Sequence, residues 1–478
     1  MDVNPAHSGF RDALDLEAIG RRLASRAHAL GLAVTRANGS RVPIAIGAVP
    51  LVVDDTDIAA RAATAARLVR ATAKAARWRL AYRRDEVFAA LGPAERRLVD
   101  ATHDRLTRLA VARVDFIGSD PLHALEVNST IPAMQGYSDI AAAAWLATFA
   151  GDDGSLARAN GSNSDSLLDA LIELHDRERG GSPRSIALLC RRGDAQSTEL
   201  AWIRDRFAAR GFDTSIVHPD MLERDGAWLR VGDERIDLVY RHLFLSRLDE
   251  NPSPALESAL ANVDAGTLVL NPPAPHLEMK DTLALLSQST DDDALADALG
   301  LDAGERAAIA AHVPWTRRLS EPAVSIDDVA ADPDAFVLKR SWSYGGNEVF
   351  VGAARDGAGF RESLARTFPH ASTWPALVHA AAADTARGGF VVQRAVPIVR
   401  APQWLCTPDA VRRALVATDY AAYASLGASP AWSGVARAAT SEIVNIVRGG
   451  AVVPVLRRSV ALRVVAGPAA ELLRYAVA

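Results

Sequence analysis

"ARVDFIGSDPLHALEVNSTIPAMQGY", Ala112 to Tyr137, reads as strand, tight turn, strand, and a loop marked by Pro132 and Gly136. Side chains at i and i+2 of a strand share a face. Arg113 and Asp115 therefore point the same way on the first strand, and Glu126 and Asn128 do so on the second. The turn at Ser119-Asp120-Pro121 is short enough to set the two pairs side by side. Two carboxylates and an amide oxygen on one face suit a hard cation such as Mg²⁺, which takes oxygen ligands. Arg113 beside them is placed to hold an anionic oxygen. The competing reading is a salt-bridged hairpin in which Arg113 neutralises the acids on a solvated face. Spacing alone does not choose between the two.

Working outward, 478 residues call for two to four domains. Hydrophobic residues at 49% and charged residues at 23% give the balance of a folded globular chain. The net charge of -5 carries no basic footprint for nucleic acid. No uncharged apolar run is long enough to span a bilayer. The N-terminal "MDVNPAHSGFRDALDLEAIG" lacks the basic start and apolar core of a secretory signal. Cys190 and Cys406 are far apart and form no CxxC, which excludes a disulfide framework and a cysteine zinc site. The expectation is a cytoplasmic protein. Its oligomeric state is not legible.

Before the hairpin, "DLEAIGRRLASRAHALGLAV" and "DTDIAARAATAARLVRATAKAARWRL" show helical spacing, with "VPIAIGAVPLVV" as a short strand segment between them. After the hairpin, "DIAAAAWLATFA" is a helix, and "GDDGSLARANGSNSDS" reads as a linker or surface loop. From Pro183 the texture becomes β-α-β: "RSIALLC", "STELAWIRDRFAARG" and "FDTSIVH", then strands in "RIDLVYRHLF" and "TLVLNPP". These predict a small parallel-sheet domain, with Arg241 at a strand end where a carboxylate could dock. "DAFVLKRSWSYGGNEVFVG" reads strand, loop, strand; "GGFVVQRAVP" is a further strand. "ATSEIVNIVRGGAVVPVLRRSVALRVV" alternates like paired strands around Gly449-Gly450.

Only three of the 53 basic residues are lysines: Lys74, Lys280 and Lys339. In a chain that uses arginine by default, a retained lysine invites a question, because its compact ammonium is not interchangeable with a planar fork. Lys74 lies in a basic helical face and reads as solvated. Lys339 ends an apolar strand before a loop with Gly345-Gly346, whose backbone N–H groups could cradle phosphates. Lys280 opens a helix, where the dipole disfavours a cation unless an anion is near.

Together these pieces resemble the ATP-grasp superfamily of carboxylate-amine ligases. Arg113-x-Asp115, a spacer, Glu126-x-Asn128 and a proline-bearing loop are similar to the D-alanine–D-alanine ligase and glutathione synthetase pattern. The resemblance implies Mg²⁺ held by Asp115, Glu126 and Asn128 on the phosphates of ATP. It implies Lys280, Lys339, Ser341, Gly345 and Gly346 around those phosphates. It implies that Gln393, Arg394 and Val396 belong to the hinge strand whose backbone meets adenine. Arg437 and Asn445 resemble residues that face the phosphates, and Arg113, Lys339 and Arg437 take catalytic roles. Two departures stand out. Arg394 follows Gln393 where Glu is usual, and no ribose-holding acid follows in "PIVRAPQW".

In most members the hairpin comes after both lysines, whereas here it comes first. That order resembles the circularly permuted ATP-grasp proteins, the group with glutathionylspermidine synthase-like members. The implied fold is α/β: a permuted ATP-grasp with a Rossmann-like pre-ATP-grasp domain. The implied divisions are 1–150 (helical segment plus metal hairpin), 151–182 (linker and helix), 183–275 (Rossmann-like), 276–400 (nucleotide lobe) and 401–478 (remaining strands of the hairpin's lobe). The implied activity joins a small-molecule or peptide carboxylate to an amine through an acyl phosphate. The alternatives are a phosphotransferase on the same fold and a catalytically idle nucleotide-binding or partner protein.

Overall fold

The computed structural model describes residues 16–118, 121–151, 154–261, 265–446, 449–464 and 472–473. Three sheets position the cleft. Helix α1 (Leu16–Ala29) leads into strand β1 (Ala45–Gly47), and the long helix α2 (Asp55–Tyr82) leads to the hairpin of β2 (Ala112–Ile117) and β3 (His123–Asn128). Helices α3 (Gln135–Phe149) and α4 (Asn163–Arg179) follow. Ser119 and Asp120 of the hairpin turn lie outside the described residues.

The second sheet is parallel throughout. Its strands are β4 (Ser185–Cys190), β5 (Asp213–Val217), β6 (Leu238–His242) and β7 (Leu268–Leu270), in the order β7-β6-β4-β5. Helix α5 (Ser197–Ala209) crosses from β4 to β5. "SIALLC" is buried from Ile186 on and "LVYRH" throughout, as strands covered on both faces must be.

Helix α6 (Lys280–Gln288) and helix α7 (Ala303–His312) precede the third sheet. This sheet is antiparallel: β8 (Thr316–Arg318), β9 (Phe336–Arg340), β10 (Val349–Val351) and β11 (Phe390–Arg394), in the order β8-β11-β9-β10. The chain then forms β12 (Arg400–Cys406), β13 (Val411–Ala424), β14 (Val435–Ala439) and β15 (Ala451–Val453). These join the N-terminal strands in one seven-stranded sheet of order β12-β1-β15-β14-β13-β2-β3. Residues more than 300 positions apart thus share one ladder, with Ala421 opposite Asp115 and Tyr423 opposite Arg113.

Four sequence readings need correction. The Gly/Ser/Asn-rich stretch is not a surface linker: helix Ser155–Asn160 and the start of α4 lie within it, and Asn160, Asn163 and Ser164 are buried. The Asp139 carboxylate accepts from Ser162 Oγ and the N–H groups of Asn163 and Ser164, so the polar residues satisfy one another inside. Near the C-terminus, Ser441–Ile446 forms no strand; β15 pairs with β14 instead. Arg241 is fully buried and donates to the carbonyls of Asn271, Leu243 and Pro272, so it braces a turn and docks no ligand. Lys74 is no solvated side chain; its ammonium donates to the Gly300 carbonyl at 2.8 Å and to buried Glu305 at 2.7 Å.

Candidate active site

The site is built first by strand register. Arg113 lies opposite Asn128 and Asp115 opposite Glu126. On the next strand Asp419 lies opposite Arg437. Directly paired residues share a face, so Asn128, Glu126, Arg113, Asp115, Asp419 and Arg437 all point from one side of the seven-stranded sheet. All six line a single cavity of about 420 Å³.

Within it two guanidiniums and two carboxylates interlock. Arg113 Nε and Nη2 donate to the two oxygens of Asp115 at 2.6 and 2.9 Å. Arg437 Nη2 donates to Asp115 at 2.9 Å and to Asp419 at 2.5 Å, and its Nε donates to both Asp419 oxygens. Burial pushes the Asp115 carboxyl up, but Arg113 and Arg437 outweigh it and hold it down at about 2. Asp115 is thus an ionised clasp between two cations. Asp419 is a member of this network that the sequence did not reveal. It sits in "VATDYAAYA", with no motif around it, and only pairing of β13 with β14 brings it to Arg437.

Glu126 is different. Its carboxylate faces the cleft, 28% exposed, and its ion partner is Lys280 at 3.4 Å. Beside it Asn128 Nδ2 is buried without a hydrogen-bond partner. Nδ2 is a donor and no metal ligand; the oxygens that fit a Mg²⁺ here are the cleft-facing Glu126 carboxylate and the Asn128 side-chain carbonyl, with phosphates and water as its remaining ligands.

Lys339 faces them from the third sheet. Its ammonium donates to Gln393 Oε1 at 2.7 Å and to the Leu125 carbonyl, next to Glu126, at 3.2 Å. Burial pushes this amine down to about 8, against the pull of Glu126 and with the push of Lys280. Lys280 is not among the residues that line the cavity; it reaches Glu126 from behind. Its backbone N–H donates to the Ser341 carbonyl at 3.0 Å and its ammonium to the Ser343 carbonyl at 2.8 Å. These two bonds clamp the root of the glycine loop onto α6. Ser341 is likewise behind the cavity, with a buried hydroxyl that has no partner.

The remaining sequence candidates do line the cleft: Gly345, Gly346, Gln393, Arg394, Val396 and Asn445. Asn445 Nδ2 donates to the Gly345 carbonyl at 2.7 Å, so the C-terminal segment touches the glycine loop. Gln393 uses its side chain internally, on Lys339 and Thr316, and its backbone lies in the ladder between β8 and β9. Across the cleft, Arg191, Asp194, Gln196, His242 and Arg247 from the ends of β4 and β6 form the opposite wall. Phe244 of that wall stacks on Tyr344 of the glycine loop, with ring centroids 4.1 Å apart.

No family model and no curated protein matches this sequence. Among solved structures, a glutathione synthetase-like effector from Globodera pallida aligns with a TM-score of 0.56 at 12% identity, over 92% of this chain and 96% of that one. A putative gamma-glutamylcysteine synthetase from Methylobacillus flagellatus aligns with a TM-score of 0.37 at 10% identity, over 73% and 81%. A RimK domain ATP-grasp protein from Sphaerobacter thermophilus aligns with a TM-score of 0.26 at 19% identity, over 62% and 100%. The first likeness spans nearly the whole of both chains. The fold is mixed α/β, and it is shared with the glutathione synthetase-like effector. No helix among the described residues is long and apolar enough to cross a membrane.

Proposed function

We propose that the protein is an ATP-dependent, ADP-forming ligase that joins a carboxylate to an amine. The observation that carries this reading is the convergence of Glu126, Asn128, Lys339, Arg113 and Arg437 on one cavity. Glu126 and Asn128 would hold Mg²⁺, with Asp115 as the clasp that orients Arg113 and Arg437. The metal, when bound, supplies positive charge that steadies the phosphate oxygens during transfer. Lys339 and the backbone of Gly345 and Gly346 hold the nucleotide phosphates, while the backbone at Val396, past the paired end of β11, holds the base. A carboxylate oxygen of the first substrate attacks the terminal phosphorus, the bond to ADP breaks, and an acyl phosphate forms. The amine nitrogen then attacks the acyl carbon; phosphate leaves and the amine gives up a proton. Arg113 and Arg437 stabilise the oxyanion of that step by charge already fixed in place.

The wall of Arg191, Asp194, Gln196, His242 and Arg247 would receive the small-molecule or peptide substrates. We read the early hairpin as circular permutation, since β2 and β3 complete a sheet whose other central strands come last in the chain. Buried, free Cys190 and Cys406 are compatible with a cytoplasmic setting.

The test is ADP release over a panel of amino acids, short peptides and polyamines. The ligase reading requires release that depends on both a carboxylate and an amine. Release that needs only one acceptor and leaves it phosphorylated would instead make the protein a phosphotransferase, and nucleotide binding without release would make it idle. Glu126→Gln is expected to lower turnover at least ~100-fold with the fold intact. Activity close to the parent's would remove Glu126 from the metal site.

A further inference from the structure

Among the buried acids that the proposed chemistry leaves unassigned, one bridges two walls of the cleft. Glu199, in the first turn of α5, is 1% exposed. Its Oε1 accepts the backbone N–H groups of Met134 at 2.7 Å and Gly136 at 3.1 Å, where α3 begins. Met134 has a φ of 90°, outside the range that side-chain-bearing residues commonly adopt, so this turn needs support from elsewhere. The preceding residue supplies a carbonyl to the site. Ala133 accepts from Arg113 Nη1 at 2.9 Å and from the Tyr423 hydroxyl at 3.0 Å.

On its other side Glu199 reaches the opposite wall. Gln196 Nε2 donates to Glu199 Oε2 at 3.2 Å, and Gln196 Oε1 lies 3.2 Å from His242 Nε2. Gln196 and His242 line the cleft from the parallel sheet; Arg113 lines it from the hairpin. His242, Gln196, Glu199, the turn at Ala133–Gly136 and Arg113 therefore make a continuous path around the end of the cavity. Each link is a hydrogen bond or a peptide bond.

We propose that Glu199 is a positioning residue, which sets Arg113 relative to the substrate wall formed by Gln196 and His242. This rests on the ligase reading, in which Arg113 steadies the oxyanion. Burial pushes the Glu199 carboxyl up to about 8, and what the turn takes from it is the acceptor oxygen Oε1. Glutamine keeps an acceptor oxygen for Met134 and Gly136 at the same reach, with its amide nitrogen in place of Oε2. The conservative variant therefore preserves the function that alanine removes.

The experiment compares the parent with Glu199→Gln, Glu199→Ala and Arg113→Ala. The probes are Mg-ATP, an equimolar pool of the twenty amino acids as carboxylates, and hydroxylamine as the amine. ADP release and hydroxamate formation are measured, with hydrogen exchange across α3 as the check on folding. In Glu199→Ala, kcat is expected to fall ~100-fold, the effect of displacing a catalytic group by about 1 Å. Its KM for Mg-ATP should stay within about twofold of the parent's, because the nucleotide wall is not on the path. Glu199→Gln should keep kcat within about threefold of the parent. A parent-like kcat in Glu199→Ala overturns the inference, as does a Glu199→Gln variant that falls as far as alanine. Loss in Arg113→Ala beside an unaffected Glu199→Ala sinks the inference while the ligase reading stands. A parent that releases no ADP with this pool sinks the ligase reading for amino-acid carboxylates, and the inference with it.

Discussion

Lys339 shows how one side chain can work against the fold that holds it. Its folded-state amine titrates near 8, below the ordinary 10.5 of the unfolded chain. Below pH 8 both states are protonated, and the folded state carries the full penalty of a desolvated cation. Between 8 and 10.5 the unfolded state binds more protons, so stability from this group rises with pH. Lys339→Met removes the effect. Its stability relative to the parent should decline by about 3 kcal/mol between pH 7 and pH 11, read from urea midpoints. A difference that stays constant across that range would mean the amine is not desolvated. Asp419 gives a second residue-scale test. Asp419→Asn leaves Arg437 with Asp115 as its remaining carboxylate, and should cost about 3 kcal/mol of stability. Adding Arg437→Met should recover part of that loss, because the uncompensated cation goes with it. A double variant no more stable than Asp419→Asn would show that the two side chains are not energetically paired.

At the scale of elements, the glycine loop between β9 and β10 is held from two sides. Tyr344 stacks on Phe244 of the parallel-sheet wall, and Asn445 bonds the Gly345 carbonyl. The two glycines differ in what surrounds them. Both have positive φ, so a side chain strains either one. A Cβ on Gly346 would also come within 2.8 Å of Ile443 Cγ2, whereas one on Gly345 meets only Asn347 at 4.0 Å. Gly346→Ala should therefore push the loop off the C-terminal segment and weaken Mg-ATP binding about tenfold more than Gly345→Ala does. Calorimetry on the two variants decides it; equal losses would mean that backbone strain alone, and not the contact with Ile443, governs the loop.

At the scale of the molecule, α2 is the member that ties the lobes together. It packs on β13 of the seven-stranded sheet and on α6 and α7 ahead of the nucleotide sheet. Arg79 near its end ion-pairs with buried Asp281 of α6, beside Lys280. Lys74 holds α7 through Glu305, which is 1% exposed at its side chain. Lys74→Met leaves that buried carboxylate with Arg70, 3.7 Å away, as its remaining ion partner. It should lower stability by about 1–3 kcal/mol, less than a fully buried pair because Lys74 is partly exposed, while Mg-ATP affinity stays within twofold. An unchanged urea midpoint would return Lys74 to the solvated role its sequence suggested.

The sequence by itself determined the hairpin. Period-two alternation put Arg113 with Asp115 and Glu126 with Asn128, and the paired register is a local property of a short turn. It also determined the first parallel strand, because "SIALLC" is an apolar run that a sheet covered on both faces can bury. Lysine scarcity drew attention to Lys339, which lines the cavity, and Lys280, which reaches Glu126 from behind it. Tertiary structure alone decided the rest. Asp419 and Glu199 have no motif; they matter because β13 lies beside β14 and α5 lies against the start of α3. Lys74 and Arg241 read as solvated or ligand-facing because a charge carries no sign of burial until its partners, Glu305 for one and three backbone carbonyls for the other, arrive from distant segments. The alanine-rich α2 was legible as a helix, but its small side chains bury on several faces, so its spacing did not show which elements it ties together. Local periodicity is written in neighbouring residues, whereas the pairing of charges across hundreds of positions is a property of the folded chain.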